Sequence, residues 1–408
     1  MRRWMQVLLR GRVCLPILVL MLALLSAARA RTFSTKELPA APHASARANE
    51  ARPTACNIAS EVCQTELLHA VSAMFGLRSA LAMPEIRFVS ADTLAQPNTG
   101  EVQRTLVSPR VQGALSRLGL LPADEGSALA PAASFQQAVY RSQTHDVLLV
   151  LPENQRKSLE GNVMLVHELV HAVQAAQGLL AHSSENLDQR LAWSARLEGE
   201  AVVRSHRFKA EREGLNPDTI DWPKLFRHWS KRSFESVERA RAPLAVAVAS
   251  FPYARGALWF HATEHSATPA EWPERFADLL AEPLDRTAVP ETATSGSSTC
   301  SGEQERLGAL SVLAFLLPLA KGDDTSAAAA AHWLRSDLLC VRADGSFTWQ
   351  LVWPREIQAA AKLVQQRAAS LGLRAVAASG SPPELRVTLV APQPAPSSCE
   401  STDQGPSR

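Results

Sequence analysis

Residues 161 to 178, "GNVMLVHELVHAVQAAQG", restrict the fold of this chain more than any other stretch. Met164, Leu165, Val166, Leu169, Val170 and Val173 recur at helical spacing over more than one face, so the helix they form must be largely buried. Its middle nevertheless carries His167, Glu168 and His171, and an unpaired buried polar group costs about 1–3 kcal/mol. Helical residues four apart share a face, so His167 and His171 can aim ring nitrogens at one point. Glu168 lies about 100° round the helix from His167, where it can reach a water near that point without displacing an imidazole. A divalent cation would relieve the cost of burying both rings. The pattern is H-E-x-x-H, in which the histidines bind Zn2+ and the glutamate is the general base. The competing reading is two histidines on an ordinary amphipathic helix.

A catalytic zinc takes a third protein ligand and keeps one position open for water. The metzincin extension needs glycine at 174 and histidine at 177; Gln174 and Gln177 exclude it. On the next helix, about 185 to 213, "ARLEGEAVV" supplies Glu198, in line with Leu187, Leu191, Ala195 and Val202 on the expected inward stripe. Glu200 projects roughly the other way and is the main competitor; His182 and His206 are further ones. With His167, His171 and Glu198 as metal ligands, Glu168 would take the proton of the attacking water and pass it to the leaving amine, which is peptide-bond hydrolysis. The oxyanion needs a donor. Of the two tyrosines, Tyr140 and Tyr253, the second is the choice, in "FPY" ahead of Gly256; a core-packed tyrosine is the alternative. His261 and His265 are also four apart, but no acid follows His261, and they read as surface or core histidines.

These residues resemble the gluzincin-type metallopeptidases, H-E-x-x-H followed by a distant glutamate. The likeness is to exported bacterial members with a Glu-Gly-[Glu/Asp]-Ala segment, here Glu198-Gly199-Glu200-Ala201. It extends through "SFPYARGALWF" (250–260) to "HWLRSDLLCV" and "WPREIQAAAKLV", covering about 140 to 370. The longer Asn-Glu-x-x-x-Asp signature is absent around Glu198. The resemblance implies a zincin-like catalytic domain: a small sheet, the zinc-binding helix, then a mainly helical half. It also implies zinc as cofactor and a peptide or protein substrate.

The first 30 residues have a basic start (Arg2, Arg3, Arg10, Arg12), an apolar run from Val13 to Leu25 and a small-residue end at Ala30. That order is expected of a secretory signal peptide, or of a membrane anchor if uncleaved, and places the protein outside the cytoplasm, periplasmic or extracellular. Losing this segment removes five arginines and no acid, taking the formal charge from +2 to −3; no basic surface for nucleic acid is indicated. Among the five later cysteines, two disulfides with one cysteine left over are expected, and Cys56 with Cys63 is the natural local pair. The absence of C-x-x-C spacing argues against a thiolate zinc site.

The fold class read from the chain is α+β. Residues 31–55 are a flexible linker, 56–285 the catalytic domain, 286–304 a polar linker, 305–392 a helix plus a small α+β domain, and 393–408 a disordered tail. In the first domain a helix from Asn57 to Met83 is stopped by Pro84, "EIRFVS" (85–90) is a strand, and 137–153 hold one or two more. "DVLLVLP" (146–152) is either an edge strand that receives an extended peptide or a buried interior strand. Helices continue to about His265. Near the C-terminus two strands flank Asp344-Gly345, a helix spans 355–371 and "ELRVTLVAP" is a further strand. A catalytically silent, peptidase-like binding module of the cell envelope, or a hydrolase of a non-protein amide, are the rival functions.

Overall fold

The structure, a computed structural model, describes residues 55–77, 81–94, 107–122, 137–181, 186–264, 273–280, 300–320, 324–379 and 384–391. The expected signal segment, all but the last residue of the first linker, and the tail lie outside them, as do His182 and His265. Among the described residues no helix is long and apolar enough to cross a membrane.

The fold is α+β with two small sheets. Helix α1 (Glu61–Met74) is shorter than the 57–83 span its periodicity suggested. It stops because Gly76, at φ +62, supplies the left-handed residue that closes a helix C-terminus. Strand β1 (Glu85–Phe88) follows, then a single helical turn (Ala91–Leu94) and helix α2 (Pro109–Arg117), which begins on a Ser108 side-chain cap. Strands β2 (Ala138–Arg141) and β3 (Asp146–Leu149) form a hairpin. The first sheet has the order β1-β3-β2, with β3 parallel to β1 and antiparallel to β2. All four residues of β3 are buried and both its edges are paired. It is therefore the interior strand and not an edge; among the described residues the edges of this sheet are β1 and β2.

Helix α3 (Leu159–Ala176) starts on Ser158, whose hydroxyl accepts from the Gly161 amide, and lays Leu165, Val166, Leu169, Val170 and Val173 against the sheet and α1. The amide of buried Asn162 pairs with both the N–H and the C=O of Cys56 (2.9 and 2.8 Å), docking the Cys56–Cys63 disulfide loop onto α3. Helices α4 (Leu187–Arg212), α5 (Trp222–Glu238) and α6 (Pro243–Glu264) make the helical half. Where α4 crosses α6 both chains are glycine. A Cβ on Gly199 would lie 2.6 Å from the Ala257 nitrogen, and one on Gly256 2.8 Å from the Ala195 carbonyl carbon.

The second sheet, entirely antiparallel, has the order β4-β5-β6-β8-β7: β4 (Glu303–Glu305), β5 (Ser336–Val341), β6 (Phe347–Pro354), β7 (Arg374–Ser379) and β8 (Glu384–Ala391). It carries α7 (Gly308–Ala320), α8 (Asp324–His332) and α9 (Gln358–Ser370). The end of the stretch expected to be linker is thus strand β4, tied to β5 by the Cys300–Cys340 disulfide as well as by its backbone. Helix α7 is apolar all round and buried, and one hydrophobic cluster joins it to α4, α5 and α6 on one side and to Trp349, Trp353 and Leu389 on the other. The core runs across the boundary that the polar segment at 286–304 suggested.

Adding a methyl at the glycine crossing must push two backbones apart, since no flexible side chain is there to yield. Gly199→Ala and Gly256→Ala are expected to cost on the order of 3 kcal/mol each in urea unfolding. A second expectation concerns Asp188 at the start of α4. Burial, then the nearby Asp337 charge, push its carboxyl up to about 7, with the Phe276 amide and Arg275 opposing. The native state then holds a proton that the unfolded chain has lost, so this group's contribution to stability falls as pH rises from about 4 to 7. Asp188→Asn should gain stability relative to wild type between pH 5 and pH 8; an unchanged difference in urea unfolding would refute the shift.

Candidate metal centre

His167 and His171 stand one turn apart on α3, and Glu198 reaches them from α4. Glu198 Oε2 lies 3.1 Å from His167 Nε2 and 3.5 Å from His171 Nε2, and the two imidazole nitrogens are 3.3 Å apart. Among the described residues this is the one group of three or more His, Cys, Asp or Glu side chains whose ligand atoms converge within 4.8 Å. Tetrahedral zinc with bonds of about 2.0–2.1 Å sets its ligand atoms about 3.3 Å apart, so the three separations fit that ion. His171 and Glu198 are buried; His167 keeps 16% of its side chain exposed and marks the open side.

Glu168 is buried beside the triad, and its Oε2 accepts from the Tyr140 amide of β2 (2.7 Å). Burial pushes its carboxyl up, an effect that the two imidazoles and the Tyr140 amide reduce without cancelling. Tyr253, on α6, stacks on the His167 ring with centroids 5.9 Å apart and planes 22° from parallel. Tyr140 is engaged elsewhere, its hydroxyl 2.9 Å from His145 Nδ1. Burial by itself would raise the Glu198 carboxyl. The charge of His171 and hydrogen bonds from both imidazoles outweigh it and hold Glu198 well below the usual carboxylate range.

Glu200 is not at the metal point. It is buried in a pocket of its own, accepting from Arg196 (3.0 Å) and Arg204 (2.9 Å). Burial alone would raise this carboxyl too; the two guanidiniums, with the Gln174 amide, hold it below its ordinary value. His206 lies outside the triad as well, with Nδ1 donating to the Val202 carbonyl (3.0 Å) and its ring edge-on to Trp229. Burial, more than any charge, pulls its pKa down to about 4. His261 sits beside the Phe226 ring.

Three contributors escaped the sequence reading: the Tyr140 backbone amide, the Gly199–Gly256 crossing and Gln174. Gln174 entered only as the residue that excludes a metzincin, although its place one turn beyond His171 put it on the metal face. Compared with known proteins, the chain matches no family model, no curated protein and no solved structure.

Elemental analysis should find one zinc per chain in the wild type and none in His171→Ala or Glu198→Gln. His206→Ala should keep its metal; loss there would move the third ligand from Glu198.

Proposed function

We propose that the protein is an exported, zinc-dependent metallopeptidase of the gluzincin type, with a zincin-like catalytic half and a peptide or protein substrate. The observation that carries this reading is the convergence of two imidazole nitrogens and one carboxylate oxygen at 3.1–3.5 Å in a buried setting. The order of elements supports it: a small sheet, the helix bearing the histidines, then the helix bearing Glu198. A zinc ion held by His167, His171 and Glu198 would supply Lewis acidity and lower the pKa of a water towards 7.

The chain's own residues supply the rest. Glu168 takes the proton of the attacking water and delivers it to the leaving amine nitrogen. Burial, by pushing its carboxyl pKa up, favours the protonated form that the transfer passes through. Tyr253, whose ring stacks on that of His167, is the donor we assign to the oxyanion. Strand β2, the sheet edge next to α3, can pair with an extended peptide backbone and so lead a scissile amide past Glu168.

Hydrolysis of a quenched peptide library tests the reading. Glu168→Gln should keep its zinc and lose about 10²–10⁴-fold in rate. Tyr253→Phe should lose about 10²-fold in kcat with KM little changed. Zinc-loaded wild type that cleaves no peptide would favour the binding module, and cleavage of a peptidoglycan amide alone would reassign the substrate.

A further inference from the structure

We infer that Gln174, anchored by Glu200, is a positioning residue that locks neutral His171 in one tautomer and one ring angle, making Nε2 the acceptor nitrogen, directed at His167 and Glu198. The inference rests on the metal reading only for its effect on zinc.

The tautomer follows from a chain of groups whose roles are forced. Gln174 is fully buried. Its Nε2 is 3.1 Å from the Leu197 carbonyl and 3.2 Å from Glu200 Oε2. A carbonyl can only accept, and Glu200 is held as a carboxylate by Arg196 and Arg204, so it too can only accept. The NH2 of Gln174 must therefore face these two oxygens, and its Oε1 must face His171, 2.8 Å from Nδ1. Oε1 has no proton to give, so Nδ1 of a neutral His171 carries the hydrogen and Nε2 carries none. When His171 is neutral, its unprotonated Nε2 and the anionic Glu198 Oε2, 3.5 Å apart, are both acceptors. A proton, as in the charged imidazole, or a metal cation between them satisfies both.

The Glu-Gly-Glu segment thus divides its labour. Glu198 faces the imidazoles as a ligand, and Glu200, two residues on, accepts from the amide that orients His171. Outer hydrogen bonds of this kind are worth about 10–100-fold in metal affinity.

The test uses the full chain, stripped of metal and labelled with 15N at histidine. Long-range 1H–15N spectra should show His171 as the Nδ1–H tautomer in wild type, and as a mixture or the Nε2–H form in Gln174→Leu. Competition against a chromophoric chelator should then give a zinc Kd raised about 10–100-fold in Gln174→Leu. An Nε2–H tautomer in wild type overturns the inference without any variant, so a poorly folding Gln174→Leu does not shield it. Equal zinc affinity in wild type and a folded Gln174→Leu also overturns it while leaving the peptidase reading intact. A wild-type chain that binds no zinc removes the peptidase reading but leaves the tautomer result standing.

Discussion

The backbone crossing of α4 and α6 at Gly199 and Gly256 is the contact on which the site depends. Side chains of ordinary size hold packed helices about 8–10 Å apart; here the absence of both Cβ atoms lets the peptide planes meet. Glu198 is the residue before Gly199, and Tyr253 is one turn before Gly256. The contact that draws the helices together therefore sets both the carboxylate that reaches the imidazoles and the ring that stacks on His167. The letters Glu-Gly-Glu and Phe-Pro-Tyr-x-x-Gly are two halves of one packing arrangement.

Three buried glutamates lie on the two helices that carry the site, and the chain deals with each differently. Glu198 has two imidazoles, Glu200 has two guanidiniums, and Glu168 has a single backbone amide with more distant help from the histidines. Compensation is weakest at Glu168, and there alone burial wins and the carboxyl is pushed up. Carboxyls whose environments drive their pKa values apart are suited to different work. In the proposed function the ligand and the anchor stay ionised, whereas the base exchanges its proton.

The parts of the site that lie on one periodic helix were legible in the chain, because a buried stripe interrupted by His167, Glu168 and His171 is visible as a pattern. Glu198 was legible for the same reason, sharing a stripe with Leu187, Leu191 and Ala195. Glu200 was read as pointing away from Glu198's side of the helix and lies with Arg196 and Arg204 instead of the imidazoles, but these partners come from its own helix at i−4 and i+4, spacing equally typical of a solvated helix face. Strand β7, "RAVAAS", is Ala-rich, leaves Arg374, Val376 and Ala377 exposed and has no strong β signal of its own; it exists because β8 offers it an edge. The Gly199–Gly256 contact could not be read at all, since two glycines 57 residues apart announce neither a turn nor each other.

The C-terminal sheet is part of the same construction and not an appendage. The first turn of α4 is held from the far side: the Leu187 amide donates to Glu305, the Asp188 amide to the Arg306 carbonyl, and the Asp188 carboxyl accepts from the Phe276 amide. Asp337, on β5, caps the start of α7 through the Leu307 and Gly308 amides and is itself fixed by the Trp349 indole. A helix pinned at its first turn by the sheet and at its middle by α6 has little freedom to slide. Sliding α4 by one residue would carry Glu198 about 100° round its axis and away from the imidazoles. The sheet thus helps to fix, from the far end of α4, which carboxylate meets His167 and His171.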